Sequence, residues 1–268
     1  MKSLSTLQTT HSTFSIGKAI SDGWAFVSKN LGYYILGGIL AVVIGGAAGI
    51  VPYVGSIANN IIISPCFIAS AIYITWRISK NIAWNDFGDI FKGFNFLMPV
   101  AISTLLQSVA MGILTVLFFF NYLPQIKDLY EMALRPDAYD NRAAIEALFQ
   151  PFLNMETLVL FLLLMLALLV LSAVWAFKTH FIVIYKMEAW PAMEMSRKVT
   201  THNLLPMIGL FFILGVIIAV SALPCGIGLL FSLPLSITAV YSAFAQITGC
   251  DENEMDNEMF DFIPGDNV

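Results

Sequence analysis

The side chains that could do chemistry are few, and their spacing fits no common catalytic or metal site. The three histidines, His11, His180 and His202, have no second histidine or carboxylate three or four residues further on. A zinc site on a helix needs such a pair. No nucleophile turn of the form G-x-S-x-G, phosphate-binding glycine loop or Cys/His pair is present either. We therefore expect no catalytic residue, no metal site, no cofactor and no enzymatic activity.

Polar residues inside apolar segments are the remaining candidates for a functional site. Asn59, Asn60 and Gln107 are the most polar of these residues. They could line a path for a solute, although amides in membrane helices more often hydrogen-bond between helices, for about 0.6 kcal/mol. Pumps, ion-coupled carriers and intramembrane hydrolases usually place an ionisable residue centrally in a span. The apolar segments show none there, which argues against those classes.

The composition limits which elements can hold these residues. Of the 268 residues, 58% are hydrophobic and only 12% are charged, whereas soluble domains carry about 25% charged residues. So few charges cannot cover a surface that faces water. This excludes a soluble enzyme, a disordered chain, a nucleic-acid-binding protein and a disulfide scaffold, and it predicts a polytopic membrane protein.

Six segments are apolar and long enough to cross about 30 Å of hydrocarbon, which takes roughly 20 helical residues. Turns marked by proline and glycine join the first two and the last two segments, and they predict tight helical hairpins. The fold class is therefore all-α, a bundle of six membrane-spanning helices. The predicted spans are Leu31–Ile50, Ser56–Ser79, Leu97–Phe120, Leu158–Phe177, Leu204–Ala222 and Gly226–Gly249.

Basic residues predict the orientation of these spans. Ten of the thirteen lie on one side, and the two short turns on the other side have none. Cytoplasmic loops are enriched in Lys and Arg, so both termini are predicted to be cytoplasmic. Aromatic residues at the same span ends predict an interfacial belt. The ten basic residues are Lys2, Lys18, Lys29, Arg77, Lys80, Lys92, Lys178, Lys186, Arg197 and Lys198, and the aromatic ones are Tyr33, Tyr34, Trp76, Trp84, Trp175, Tyr185 and Trp190.

Three short segments before spans have apolar residues at helical spacing with charged residues between them. They begin near Ile16, Phe87 and Trp190, and each predicts an amphipathic helix lying in the cytoplasmic interface. Each ends on an asparagine directly before a span. This suggests a repeated unit, an interfacial helix followed by a span, that is used three times. Small residues in the first span, Gly37, Ala41, Gly45 and Gly49, allow close helix approach, either within the molecule or between two copies.

The chain divides into a polar N-terminal tail (1–14), a membrane domain (15–249) and an acidic C-terminal tail (250–268). The tail at 1–14 lacks the apolar run of a cleavable signal, so we expect the first span to direct insertion. An extracytoplasmic loop at about 121–156 carries two apolar stripes, which either cap the bundle or lie on the membrane. The last 18 residues hold seven acids and no base. They are either a solvated, disordered end or a peptide that docks on a basic cytosolic partner.

The C-terminal third carries a family resemblance. The runs His180–Lys186, Glu188–Val199 and Pro224–Pro234, with Asn203 and Tyr241, resemble a broad bacterial group of uncharacterised six-span inner-membrane proteins. That group is related to the membrane domain fused to some glycerophosphodiester phosphodiesterases. The resemblance covers about Trp175–Gly249 and includes no phosphodiesterase domain. It implies the fold and a bacterial cytoplasmic (inner) membrane, and it implies no catalytic role.

Two functions remain open. The first is a non-enzymatic integral membrane protein that organises membrane lipids or partner proteins through its cytoplasmic helices and acidic tail. The second is a small-solute or lipid transporter that uses Asn59, Asn60 and Gln107. A polar cavity open to one side would favour the transporter, and a packed core would favour the organising role.

Overall fold

The computed structural model describes residues 13–82, 87–120, 122–133, 154–223 and 226–251. These residues are helical apart from short turns, and no strand occurs among them. The predictions for the N-terminal tail, for Trp84, for the second stripe of the long loop, for the turn at 224–225 and for the acidic tail beyond Asp251 lie outside this part of the chain.

Six helices within the described residues are long and apolar enough to cross a membrane, which confirms the all-α, polytopic prediction. The fifth span has the predicted bounds, and the others differ by a few residues or continue into a neighbouring helix. The six are Leu31–Gly49, Val54–Ser79, Phe87–Phe120, Met155–Tyr185, Leu204–Ala222 and Leu229–Thr248.

The second span contains a widened turn that the sequence analysis did not predict. Residues Asn59–Ile63 form a π-helical turn, in which the N–H of Ser64 bonds to the carbonyl of Asn59 five residues earlier. Pro65 follows directly and has no N–H to continue the regular ladder, so the extra residue is accommodated just before it.

The fourth span is interrupted. Helix Met155–Val174 ends, Trp175–Phe177 form a turn, and a second helix continues over Lys178–Tyr185. This second helix was not predicted: the fourth span was expected to end at Phe177, with Lys178 among the basic residues beyond it. Instead, six of its eight residues are buried.

Three short helices, which we name the collar helices, occupy the predicted interfacial segments. They are Ile16–Lys29, Phe87–Phe96 and Ala189–Thr201, and the second is a 3₁₀ helix. The first and third end in the same way: Asn30 and Asn203 leave the helix with similar backbone angles, and each amide donates to the carbonyl four residues earlier. This shared geometry supports the predicted repeat for those two segments, whereas Asn95 lies inside its 3₁₀ helix.

The chain separates into two compact units. The larger comprises Met1–Thr104 and Ala173–Val268, so it contains all three collar helices, and the smaller is Leu105–Ser172. In the larger unit the sixth span is central, with 13 of its 20 residues buried. In the smaller unit helix Leu123–Ala133 follows the third span, and the hydroxyl of Tyr122 bonds to that of Thr157 at 3.1 Å.

Candidate functional site

Each collar helix is attached to a span by a side-chain hydroxyl that bonds to backbone. The hydroxyl of Thr238 donates to the carbonyl of Gly23 at 3.0 Å, and that of Ser70 accepts the N–H of Gly93 at 2.8 Å. In the third case the collar helix supplies the hydroxyl: Ser196 accepts the N–H of Phe177 at 3.1 Å and donates to the carbonyl of Val174 at 2.9 Å. Ser196 thereby satisfies two backbone groups that the break in the fourth span leaves without helical partners.

Two of these attachments also require glycine. A Cβ on Gly23 would lie 2.8 Å from the backbone nitrogen of Ala239 in the sixth span. A Cβ on Gly93 would collide with the backbone of the second span at Cys66 and Ser70. Without side chains at these positions the helix backbones approach closely, so the inner faces of the collar helices are packed against protein.

The outer faces of the collar helices combine exposed aromatic and basic side chains. Trp24, Phe87, Phe91 and Trp190 are 47%, 64%, 44% and 69% exposed. Lys18 and Lys29, three helical turns apart on the first collar helix, share another exposed face. Aromatic rings beside lysines are typical of helices at the level of lipid headgroups. The predicted apolar stripes are thus divided, with the larger part packed on the spans and the smaller part left on the surface.

The third collar helix carries an exposed ion-pair cluster. Arg197 donates two hydrogen bonds to Glu194, at 2.8 and 2.6 Å, and Lys198 lies 3.8 Å from the same carboxylate. The hydrogen bonds from Arg197 lower the pKa of Glu194 below its usual value. Because these groups are exposed, the pairs add little to stability, and they leave one net positive charge on this surface.

A polar network joins the end of the sixth span to the second span. One carboxylate oxygen of Asp251 accepts hydrogen bonds from Tyr241 at 2.6 Å and from Ser79 at 2.7 Å. Cys250 is a buried free thiol beside them, and burial raises its pKa to about 12. These hydrogen bonds hold the end of the sixth span against the second span.

Two of the ten basic residues that predict the orientation are largely buried. The ammonium of Lys178 donates to the carbonyl of Ser103 at 3.0 Å and lies 3.5 Å from the hydroxyl of Thr104. Arg77 pairs with Asp89 of the second collar helix at 3.3 Å, and both side chains are at most 14% exposed. Lys178 and Arg77 therefore hold helices together, in addition to indicating the predicted orientation of the spans.

Several predicted belt aromatics are also inside the protein. Tyr33, Tyr34 and Trp76 are buried, and the hydroxyl of Tyr34 lies 2.7 Å from that of Thr75. Trp190 is exposed as predicted. His180 is 3% exposed and stacks on the ring of Phe244 at 5.1 Å. The sequence could not distinguish these cases, because a span end can face either lipid or another helix.

Two apolar cavities lie among the spans of the larger unit. One of about 360 Å³ lies between the second, fourth, fifth and sixth spans and includes His180 in its wall. The other, of about 300 Å³, lies beside the small residues Gly37, Gly38 and Ala41 of the first span. Their walls share Ile68, Ser236 and Ile237. Among the described residues, no charged side chain lines either cavity.

The predicted polar residues lie elsewhere. Asn59 accepts a hydrogen bond from Ser64 at 3.1 Å within the π-helical turn, and its amide packs against Gly45 of the first span. Asn60 is exposed and bonds to the carbonyl of Ser56 in its own helix at 2.8 Å. Gln107 belongs to the smaller unit. None of the three lines either cavity, and their joint role as a polar site stays a prediction.

Within the part of the chain that the structure describes, no group of three or more His, Cys, Asp and Glu side chains is close enough together to hold a metal ion.

These features define a class of protein: an all-α polytopic chain whose short helices are packed against its spans. Residues 142–250 match a protein family described as a domain of unknown function, DUF7847. The matched segment is less than half of the chain, and it includes the third collar helix and the 175–249 region that carries the family resemblance. No curated protein and no solved structure matches the chain.

Proposed function

We propose that this protein is a non-enzymatic integral membrane protein that organises anionic lipids around its collar helices. The observation that carries the proposal is the exposed surface of these helices, which carries Trp24, Phe91 and Trp190 and, on another face of the first helix, Lys18 and Lys29. Aromatic rings anchor such a surface at headgroup depth, and each lysine near an anionic leaflet contributes about 1 kcal/mol to lipid attraction.

The rigid attachment of the collar supports this role. A helix that binds the membrane only through its own apolar face can leave the membrane, whereas these helices are fixed to the spans through Gly23, Gly93 and Ser196. The lysines of the first collar helix are therefore held in a fixed arrangement beside the sixth span, and preorganised cations favour persistent contact with anionic lipid.

The orientation and location are part of the proposal. We place the collar and both termini in the cytoplasm, because burial of Lys178 and Arg77 still leaves eight of the ten basic residues as topology signals on that side. We place the protein in a bacterial cytoplasmic membrane, as a relative of the membrane domain of some glycerophosphodiester phosphodiesterases, on sequence resemblance alone. The acidic tail is proposed to dock on a basic cytosolic partner.

The test uses detergent-free extraction into native nanodiscs and lipid mass spectrometry. The wild-type discs should be enriched in anionic lipid relative to the bulk membrane. The Lys18→Gln/Lys29→Gln variant should lose most of this enrichment, while Lys127→Gln, which removes an exposed lysine from the helix after the third span, should keep it. If discs of wild type and of the double variant have the same lipid composition, the proposal is wrong.

A lipid transporter is the second candidate, and the two intramembrane cavities favour it over a transporter of polar solutes. Their walls are almost wholly apolar, so a polar solute would lose its hydration without finding partners. Transfer of a fluorescent lipid between leaflets of vesicles that contain the purified protein, at a rate above that of empty vesicles, would replace the organising role with transport.

A further inference from the structure

The larger cavity has the size and position of a ligand site inside the hydrocarbon layer. Its volume of about 360 Å³ lies within the range of small-molecule pockets, about 300–1,000 Å³. Leu214 and Ile237 line it from near the middle of the fifth and sixth spans. A molecule would therefore reach it from the bilayer.

Polar groups without partners mark one wall. His180 is 3% exposed, and neither imidazole nitrogen makes a hydrogen bond of good geometry to the described protein, although the Ala176 carbonyl interacts with the ring. The adjacent Thr179 also lines this wall. Ser236 donates to the carbonyl of Leu233 at 2.7 Å and keeps its oxygen lone pairs. Buried polar groups left unpaired cost about 1–3 kcal/mol each, so a ligand that paired with them would gain affinity.

The chemistry of the wall selects the ligand. With no charged side chain among the described residues of the wall, a charged headgroup would be desolvated without compensation. A neutral imidazole offers one donor and one acceptor, which a single hydroxyl can satisfy. A water molecule takes up about 30 Å³ of liquid. The cavity therefore has room for a ligand made of on the order of a dozen groups of that size, such as methylene groups.

We propose that the cavity beside His180 binds an uncharged amphiphile, an apolar chain or ring system with one hydroxyl group, taken up from the bilayer. The hydroxyl bonds to His180 when the imidazole turns one of its nitrogens, both buried in the structure, toward the cavity, and the apolar body fills the space between the fifth and sixth spans. This inference goes beyond the proposed function, since the collar cations take no part in it and the two can fail separately.

The experiment uses the full chain in nanodiscs of phosphatidylcholine, a net-neutral lipid. A photoactivatable dodecanol that carries a diazirine in its chain is compared with the corresponding methyl ether, which cannot donate a hydrogen bond. Cross-linked peptides are identified by mass spectrometry. In the wild-type protein the alcohol should label the cavity wall about fivefold more than the ether does, which is the effect of one hydrogen bond.

Two glycines provide matched variants. Gly215 lines the cavity and a Cβ there meets open space, so Gly215→Phe should fill the site and reduce labelling roughly tenfold. Gly46 of the first span also has open space around it and lines neither cavity, so Gly46→Phe should leave labelling unchanged. Equal labelling of the wild type and Gly215→Phe would overturn the site.

The role of the imidazole is tested separately. His180→Phe keeps the ring packing with Phe244 and should remove the preference for the alcohol, while the ether still labels. Because this variant could fail to fold, the ¹⁵N resonances of His180 in the wild-type protein provide a second measurement. They should shift when dodecanol is added and stay unchanged with the ether. If His180→Phe is still labelled more by the alcohol than by the ether, the proposed contact between the hydroxyl and His180 is wrong. It is also wrong if the His180 resonances do not shift when dodecanol is added.

Discussion

At the scale of single residues, small groups decide how the collar is attached. Gly23 and Gly93 allow backbones to meet, and Ser70, Ser196 and Thr238 supply the hydrogen bonds between elements. In a membrane, where lipid tails are as apolar as side chains, close packing and such hydrogen bonds are what favour contact between helices over contact with lipid.

Gly23 can be compared with Gly17 in the same helix, where an added Cβ meets nothing within 4 Å. Gly23→Ala should destabilise by about 1–3 kcal/mol, because the methyl group forces the first collar helix off the sixth span. Gly17→Ala should be neutral or stabilising by up to about 1 kcal/mol, since alanine favours the helix. Unfolding of both variants in mild detergent measures the difference. Equal stabilities would show that the close contact at Gly23 does not form.

Cys250 gives a prediction that depends on pH. Burial raises its pKa to about 12, so the thiol is protonated below that pH. At pH 8 roughly one molecule in ten thousand carries the reactive thiolate. Peptide mass spectrometry should therefore find Cys250 almost unlabelled by N-ethylmaleimide in the folded protein and rapidly labelled after unfolding. Rapid labelling in the folded protein would mean that the network with Tyr241 and Asp251 is open.

At the scale of elements, the sequence predicted the spans well and their contacts poorly. The end of the third span and both ends of the fifth are as predicted, because Phe120 and Ala222 precede polar or proline-marked turns and Asn203 marks the start of the fifth. The helix Lys178–Tyr185 was missed, since a lysine and a histidine after an apolar run resemble a solvated end. Only tertiary packing shows that Lys178 bonds to the third span.

The candidate site was harder to predict for the same reason. Asn59, Asn60 and Gln107 are conspicuous because they are polar in an apolar context. The His180 cavity is formed by four spans that are distant in sequence, and most of its wall residues are ordinary apolar ones. The aromatic and basic composition of the collar was predicted, but periodicity alone could not tell which part of each stripe packs on protein.

The buried pair Arg77–Asp89, which joins the second span to the second collar helix, tests the attachment of a whole element. Arg77→Met should destabilise by about 3 kcal/mol, because it leaves the Asp89 carboxylate without its partner in a largely dry site. The double variant Arg77→Met/Asp89→Leu should be closer to wild type than Arg77→Met is. Chemical unfolding in detergent provides the free energies.

The matched control is the exposed pair Lys127–Glu131 on the helix after the third span. Lys127→Met should change stability by less than about 0.5 kcal/mol. A double variant no more stable than Arg77→Met alone would show that the second collar helix is held by Gly93 and Ser70 without help from the ion pair.

At the scale of the whole molecule, the proposed organisation of anionic lipids depends on which side of the membrane the collar helices occupy. If six spans cross the bilayer, an even number, both termini and all three collar helices lie on one side. The excess of lysine and arginine predicts that this side is the cytoplasm, and the acidic tail should not overturn it, because Asp and Glu weigh little in topology.

Reporter fusions along the full chain test this claim most directly. Fusions after Lys80, after Lys186 and at Val268 should all report the cytoplasm, and fusions at Tyr53, Arg135 and Pro224 should report the opposite side. A Val268 fusion on the outside together with a Lys80 fusion on the inside would make the number of spans odd. That result would contradict the six-span account, and with it a collar that lies wholly in the cytoplasmic leaflet.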